Sequence, residues 1–395
     1  SAFTNSDLAF WGDRVYAGNY GGFRIFNIAN PAAPTLVTNF SCPGPQNDIS
    51  VWNNDADAAA DLLFLSVDTP RIPTGALSAT DCGAGGFPAT PANPSASNKS
   101  VAWEGVRIFN INTETAPVQI AAVPTDCGSH THTLVPGKGA NSGKLYIYVS
   151  SYPLGFAAVT TDIPGPPAGV RDNGTECLEP EPGEPKQNGY HDKISIITVD
   201  LANPATADDS TGTAPNLTYP NVKEYTLEGS TVGVNRLQAP TATTPARVWN
   251  YAACHDIGIF WEIDLASASC WAEMQLWDIS DPLNPDFLRR ARSPEFVDTL
   301  FHSTTFSWDA KTLALEDEAG GGSDDRCRDV NDMQGRILFY DQSANLQGTF
   351  KIPRPQPKGE NCTAHLYNYI PQTNGQDIIV SAWYQGGTSV IDANN

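Results

Sequence analysis

The sequence has few basic residues and no long apolar run. Its 395 residues include 23 Lys and Arg against 44 Asp and Glu, which gives a net charge of −21. A phosphate backbone requires a basic protein face, so this balance argues against a nucleic-acid partner. No stretch of about 18 apolar residues occurs, and we expect no membrane span. No charged and apolar leader opens the chain, so we expect "SAFTNSDLAF" to be a mature N terminus from which a signal peptide was removed.

Common catalytic motifs are also lacking. The sequence contains no Gly-x-Ser-x-Gly elbow, no His-Glu-x-x-His and no dinucleotide-binding fingerprint. None of its eight cysteines forms a Cys-x-x-Cys pair, which favours disulfides over a structural zinc site. Disulfides indicate a secreted protein, extracellular or on the cell surface.

Cysteines that are neighbours in sequence would close loops of roughly 15 to 50 residues. Pairing them in order predicts these four bridges: Cys42 with Cys82, Cys127 with Cys177, Cys254 with Cys270, and Cys327 with Cys362. Eight cysteines allow many other connectivities, so the spacing alone leaves the pairing open.

Turn-forming residues are abundant, and one pattern repeats. The chain has 33 Gly and 31 Pro, which favour short strands joined by turns. Six segments each contain an alternating strand that ends in Asp or Asn, usually followed by an Asn-Pro or Asp-Pro turn and a second strand. Two further stretches in which apolar and polar residues alternate precede each of these segments. The six segments are residues 21–37, 104–120, 193–209, 272–288, 335–350 and 386–395.

The repeating unit is therefore a four-stranded antiparallel meander, which is typical of β-propeller blades. We predict an all-β protein in which residues 1–395 form a single propeller domain of six or seven blades. Pro-, Gly- and Ser-rich stretches at about 68–103, 153–190 and 205–247 are expected to be surface insertions, because the repeat resumes after each. The sixth unit stops after its third strand, so its closing strand comes from elsewhere in the chain or the native protein continues beyond Asn395. Five tryptophans are expected to pack within the blades: Trp11, Trp52, Trp277, Trp308 and Trp383.

Several segments resemble a known family. The phrases "GGFRIFNIANPAAPTLV", "CHDIGIF", "FHSTTFSWD" and "AWYQGGTSVID" are similar to the LVIVD-repeat β-propellers of bacterial secreted and surface proteins, over nearly the whole chain. The resemblance implies the propeller fold and secretion, but it names no activity. The acidic insertion "LEPEPGEPK" and the triplet "HTH" depart from the family pattern. The triplet leaves open whether His130 or His132 points inward.

Four of the six histidines stand at the start of first strands in successive repeats. These are His130, His255, His302 and His365. The first strand of each propeller blade lines the central channel, so we expect the four imidazoles to converge. Neutral imidazole is the commonest protein ligand for Zn, Cu and Fe. We therefore predict a transition-metal site made of these four side chains. The alternative is a ring of histidines that hydrogen-bond to channel water.

Other polar residues could orient the imidazoles or replace one of them as ligand, because a ligating imidazole usually donates its second N–H to an oxygen. Strand alternation places Glu316 and Glu318 on one face of a strand. The candidates are Asn47, His132, Asp256, Glu316 and Glu318.

Two functions remain open at the level of the sequence. The first is a binding or scaffold module that contacts a protein partner or self-assembles, with any metal in a structural role. The second is a metalloenzyme, an oxidase, oxygenase or hydrolase, that uses a four-histidine Cu, Fe or Zn centre on the propeller axis. A catalytic metal keeps an open coordination position, whereas a structural metal is enclosed by protein ligands. The first function is favoured because no motif names a substrate.

Overall fold

A computed structural model describes most of the chain. The described residues are 4–53, 60–68, 82, 104–151, 193–213, 216–227, 234–238, 247–251, 253–270, 273–292, 300–318, 335–353, 359–361, 363–372 and 374–394. The chain divides into two compact units, Ser1–Tyr225 and Thr226–Asn395.

The first unit contains three four-stranded antiparallel sheets, in the orders β1-β2-β3-β4, β5-β6-β7-β8 and β14-β11-β10-β9, and the hairpin β12-β13. Two 3₁₀ turns, Gly139–Asn141 and Pro204–Asp208, interrupt the strands. The strands are β1 (Asn5–Trp11), β2 (Arg14–Asn19), β3 (Gly22–Asn27), β4 (Thr35–Ser41), β5 (Gln46–Trp52), β6 (Leu62–Val67), β7 (Gly105–Asn110), β8 (Val118–Pro124), β9 (Thr131–Pro136), β10 (Lys144–Ser150), β11 (Lys193–Asp200), β12 (Thr211–Thr213), β13 (Asn216–Thr218) and β14 (Val222–Thr226).

The second unit contains the hairpin β15-β16, the four-stranded sheets β17-β18-β19-β20 and β21-β22-β23-β24, and the three-stranded sheet β25-β26-β27. Its 3₁₀ turns are Trp261–Ile263 and Tyr384–Gly386. The strands are β15 (Val234–Gln238), β16 (Arg247–Tyr251), β17 (Asp256–Phe260), β18 (Leu265–Cys270), β19 (Glu273–Asp278), β20 (Asp286–Arg292), β21 (Phe301–Phe306), β22 (Thr312–Asp317), β23 (Ile337–Asp341), β24 (Leu346–Phe350), β25 (Tyr367–Ile370), β26 (Ile378–Ala382) and β27 (Thr388–Asp392).

These six meander sheets are the blades of an all-β, six-bladed propeller, which confirms the predicted fold class. We number the blades in chain order. The sixth blade has three described strands, as the repeat pattern indicated. The outer strand of the third blade is β14, which lies inside the stretch 205–247. Residues directly after β11 form a 3₁₀ turn instead of a strand.

Apolar alternation buries the faces of neighbouring blades against each other. In the first unit, Leu62 and Phe64 of β6 pack with Val106 and Ile108 of β7 and with Ile147 of β10. Burying an aliphatic or aromatic side chain of this size stabilises the folded state by about 1.5–3 kcal/mol. In the second unit, the fourth and fifth blades of the propeller pack in the same way. Their shared cluster includes Met274, Leu276, Leu313, Leu315 and Leu338.

Disulfides attach loops to two of the blades. Cys42 pairs with Cys82 and Cys254 pairs with Cys270, as sequential pairing predicted. Cys127 is also disulfide-bonded. Three further cysteines of the predicted bridges, Cys177, Cys327 and Cys362, lie outside the described residues. In the part of the chain that the structure describes, no helix has the length and apolar character needed to cross a membrane.

Candidate metal-binding site

Backbone hydrogen bonds place three of the predicted histidines at equivalent positions. His130 and His255 lie directly before the first strand of their blades, and His365 lies two residues before its own. Each donates its N–H to a carbonyl near the end of the second strand. His130 donates to Ser150 at 2.9 Å, His255 to Ser269 at 2.7 Å, and His365 to Ala382 at 2.9 Å. The imidazole of each therefore starts from the same point of its blade.

His302 reaches its position through a β-bulge. The pairing of β21 with β22 shifts register between Phe301 and Thr304. The second blade has the same irregularity between Gln46 and Ile49, so Asn47 is the counterpart of His302 in that blade.

Three imidazoles lie together in the second unit. The ring centroids of His255 and His302 are 3.7 Å apart, and those of His302 and His365 are 4.4 Å apart. His255 and His302 are buried, with exposed fractions of 2% and 5%. His365 reaches solvent, since 30% of its side chain is exposed. The cluster therefore extends from the interior of the unit to its surface.

Glu318 joins this histidine cluster. Its Oε2 lies 3.8 Å from Nε2 of His302, and its Oε1 lies 3.9 Å from Nε2 of His365. Candidate ligand atoms of His255, His302 and Glu318 all lie within 4.8 Å of one another. Tyr384 completes the outer side, because its hydroxyl donates a hydrogen bond to Oε1 of Glu318 and its ring lies 4.7 Å from that of His365.

Glu316 lies on the same face of the strand but makes different contacts. Its two oxygens accept the backbone N–H of Leu366 at 3.0 and 2.9 Å, and Oε2 also accepts the hydroxyl of Ser303. Burial raises the pKa of Glu316 well above its usual range, and the charge of Glu318 adds to the rise, whereas the Ser303 hydrogen bond lowers it. Because Leu366 directly follows His365, Glu316 fixes the start of the sixth blade.

The second strand of the fifth blade is also anchored on its other face. Asp317 accepts the N–H of Leu300 at 2.9 Å and the N–H of Gly335 at 2.9 Å. It is fully buried, like Glu316, and Glu318 is nearly so. All three carboxylates are therefore held inside the protein and are not part of a solvated turn.

Ser269 links the fourth blade to the fifth, and a disulfide within the fourth blade fixes the start of its first strand. The Ser269 hydroxyl donates to the carbonyl of His302 at 2.7 Å. Cys254 and Cys270 flank the backbone hydrogen bond between His255 and Ser269, and their disulfide fixes that pairing. Oδ1 of Asp256 accepts the backbone N–H of Ile257 at 2.8 Å, so this oxygen is already hydrogen-bonded to the local backbone.

The first unit holds the remaining candidate residues. His130 Nδ1 lies 2.8 Å from Oδ2 of Asp68, and its Nε2 lies 3.4 Å from Gln46. Asp68 directly follows β6 as Glu318 directly follows β22. In both blades, a carboxylate one residue past the second strand faces the histidine that opens the next blade.

His132 and Asn47 make structural hydrogen bonds. His132 is buried, with Nδ1 2.8 Å from the Ser66 hydroxyl and Nε2 2.5 Å from the Ser50 hydroxyl. The Asn47 amide nitrogen donates to the carbonyls of Asn19 at 2.7 Å and Cys42 at 3.1 Å. These contacts tie the second blade to its neighbours.

Three of the four predicted histidines thus lie together, with Glu316 and Glu318 beside them. His130 belongs to the other unit, so the four-histidine set stays a prediction. Sequence reasoning missed Tyr384 and Ser269. Tyr384 lies in a 3₁₀ turn at a positive φ of 46°, where no strand periodicity marks it. His191, in the segment "NGYHDK", has no counterpart at the start of a first strand and lies outside the described residues.

Comparisons with known proteins give no family. No family model and no curated protein matches the sequence. Among solved structures, the β-propeller domain of Myceliophteria thermophila Cps50 (Swd1) has a TM-score of 0.49 at 6% identity, covering 98% of this chain and 84% of that one. The Dos1 propeller has a TM-score of 0.46 at 10% identity, covering 100% and 67%. A putative 6-phosphogluconolactonase from Bacteroides uniformis has a TM-score of 0.45 at 9% identity, covering 94% and 77%. Nothing about the function of the present chain follows from these similarities.

Proposed function

We propose that this chain is an extracellular β-propeller of the LVIVD-repeat type that acts as a binding or scaffold module and holds a transition-metal ion at its histidine cluster. The observation that carries the metal is the convergence of His255, His302 and His365 on Glu318. Cu, Zn and Fe are the candidate ions, because all three accept imidazole ligands.

The close packing of the three rings favours a bound metal ion over protonation of the imidazoles. Imidazoles whose centroids are 3.7 and 4.4 Å apart repel one another strongly if more than one is protonated. The carboxylate of Glu318 is nearly buried beside them and can supply negative charge to a bound cation. One metal ion bound by neutral rings would avoid the repulsion and use this carboxylate as a ligand.

The binding or scaffold role is supported by surface features and by the disulfides. Disulfides persist in oxidising compartments, which fits secretion. Apolar side chains stand exposed on blade surfaces, among them Phe10 at 60%, Trp308 at 60% and Val390 at 73%. Side chains of this kind would be available for contact with a protein partner or with a second copy of the chain.

Metal content tests the proposal. Purified full-length protein, dialysed against a weak chelator and reconstituted with Cu, Zn or Fe, should retain close to one ion per chain. The variant His302→Ala should retain far less, while His191→Ala should match the parent chain, because His191 stands outside the repeat register. Equal retention in the two variants, or no retention by the parent chain, would refute the metal.

A metalloenzyme is the second candidate, and solvent access to the cluster favours it. Tyr384 is 40% exposed and the His365 side chain 30% exposed, so a small molecule could approach the ion from this side. Oxygen uptake with phenolic reductants and hydrolysis of activated esters should then depend on the loaded metal and disappear in His302→Ala. Absence of both activities from protein shown to carry the metal would favour the scaffold role.

A further inference from the structure

We infer that the ion is held by His255, His302 and Glu318, a set of two imidazoles and one carboxylate, and that His365 is not a ligand. This inference rests on the proposed metal site. It replaces the four-histidine centre by a three-residue site with a vacant coordination position.

The separation of the donor atoms is compatible with a single bound ion. The ligand atoms of the three residues lie within 4.8 Å of one another, and Nε2 of His302 is 3.8 Å from Oε2 of Glu318. An ion bonded at about 2.0–2.2 Å to each donor places tetrahedral ligands roughly 3.4 Å apart. Shifts of roughly 1 Å in the three side chains would bring the donor atoms to this separation.

The two oxygens of Glu318 have different partners. Oε1 accepts the hydroxyl of Tyr384 and lies 3.9 Å from His365. Oε2 faces His302. The Tyr384 hydroxyl therefore orients the carboxylate from outside, with His365 beside it, and Oε2 is left on the side of the buried imidazoles. Such orienting contacts are usual around a metal-binding carboxylate.

Rigid supports surround all three residues. The disulfide between Cys254 and Cys270 and the Ser269 hydroxyl hold the backbone of His255 and His302. Two backbone amides donate hydrogen bonds to Asp317, and these bonds hold the strand end that carries Glu318. A site held in this way selects for a definite coordination geometry, as metal sites require.

Two neutral imidazoles and one carboxylate form a donor set that binds Zn²⁺ in hydrolytic sites and Fe²⁺ in oxygenases. Three protein ligands leave a position for water or a small anion. The site would carry a net charge of about +1 with a divalent ion, which favours an anionic exogenous ligand. His365 and Tyr384 border the exposed side of the cluster, from which such a ligand would enter.

Cobalt binding to the full-length protein tests the ligand set. Co²⁺ affinity should fall by roughly 100-fold or more in His255→Ala, His302→Ala and Glu318→Gln. It should fall by only about tenfold in His365→Ala, because this residue contacts the carboxylate from outside, and it should stay unchanged in His130→Ala, the control in the other unit. Azide should change the visible spectrum of the Co²⁺ protein, because it occupies the vacant position. Glu318→Gln is nearly isosteric, and its thermal unfolding and circular dichroism should match those of the parent chain.

The outcomes separate the two proposals. If the parent chain binds no Co²⁺, Zn²⁺, Cu²⁺ or Fe²⁺, the metal site and the ligand set both fail. If the parent binds one ion, but His365→Ala and His130→Ala lose it while Glu318→Gln keeps it, a four-histidine centre is correct and only the ligand set is overturned. A Co²⁺ spectrum that azide leaves unchanged contradicts the vacant position.

Discussion

Asp208 should make the stability of the protein depend on pH, and replacing it by Asn should remove that dependence. Asp208 ends the 3₁₀ turn Pro204–Asp208 and is only 6% exposed. Its Oδ2 accepts the N–H of Ala122 at 3.0 Å, on the outer strand β8 of the second blade. Burial raises the pKa of this carboxyl from 3.8 to about 6, although the Ala122 hydrogen bond lowers it.

The magnitude follows from the difference between the two pKa values. A pKa raised from 3.8 to about 6 corresponds to about 3 kcal/mol, at about 1.4 kcal/mol per unit. Because the folded-state pKa is the higher one, the stabilisation is fully present below pH 3.8 and is lost as pH rises through about 6. Above that pH the folded protein contains a buried charge. Asp208→Asn keeps an acceptor oxygen for Ala122 and removes the charge.

We therefore expect Asp208→Asn to be more stable than the parent chain by up to about 3 kcal/mol near pH 8 and nearly equal to it near pH 4. Urea unfolding at the two pH values, with disulfides intact, measures the difference. Asp209→Asn is the control, because Asp209 is exposed and its neutralisation should change stability by less than about 0.5 kcal/mol. A gap of the same size at both pH values, or a less stable Asn variant near pH 8, would show that the buried charge is not the cause.

Three further predictions concern stability and cooperativity. Gly258→Ala should destabilise the protein by about 1–3 kcal/mol, because its Cβ would lie 2.3 Å from the Thr304 carbonyl oxygen of the next blade. The control Gly348→Ala should leave stability unchanged, since nothing lies within 4 Å of its Cβ. Equal melting temperatures of the two variants would contradict this prediction. Replacing Cys254 and Cys270 together by Ser should cost about 3 kcal/mol in urea unfolding, since the bridge closes a loop of 16 residues; an unchanged midpoint would exclude this. If the propeller is one cooperative domain, separately expressed fragments 1–225 and 226–395 should be insoluble or should only reassociate, and a stable monomeric fragment with dispersed NMR signals would disprove it.

The sequence alone determined the features that depend on local alternation. Strands with period-two patterns and Asn-Pro turns predicted the meander blades, because the backbone forces successive side chains to opposite faces. The same local rule placed Glu316 and Glu318 on one face, and both do face His302. Sequential cysteine pairing was correct for Cys42 with Cys82 and for Cys254 with Cys270.

Tertiary structure decided which of these residues meet and in what environment. Trp308 was expected to pack within a blade, yet it is 60% exposed, because it lies beyond the end of β21. The outer strand of the third blade lies at Val222–Thr226, beyond a 3₁₀ turn whose Asn-Pro sequence resembled the usual turn into a strand.

The roles of the two glutamates could not be predicted either. Glu316 binds the amide of Leu366, 50 residues away, and Glu318 binds Tyr384, 66 residues away. Alternation fixes the face from which a side chain leaves its strand, but the next blade supplies the partner. The position of that partner depends on how the blades pack, which no pattern within one blade contains.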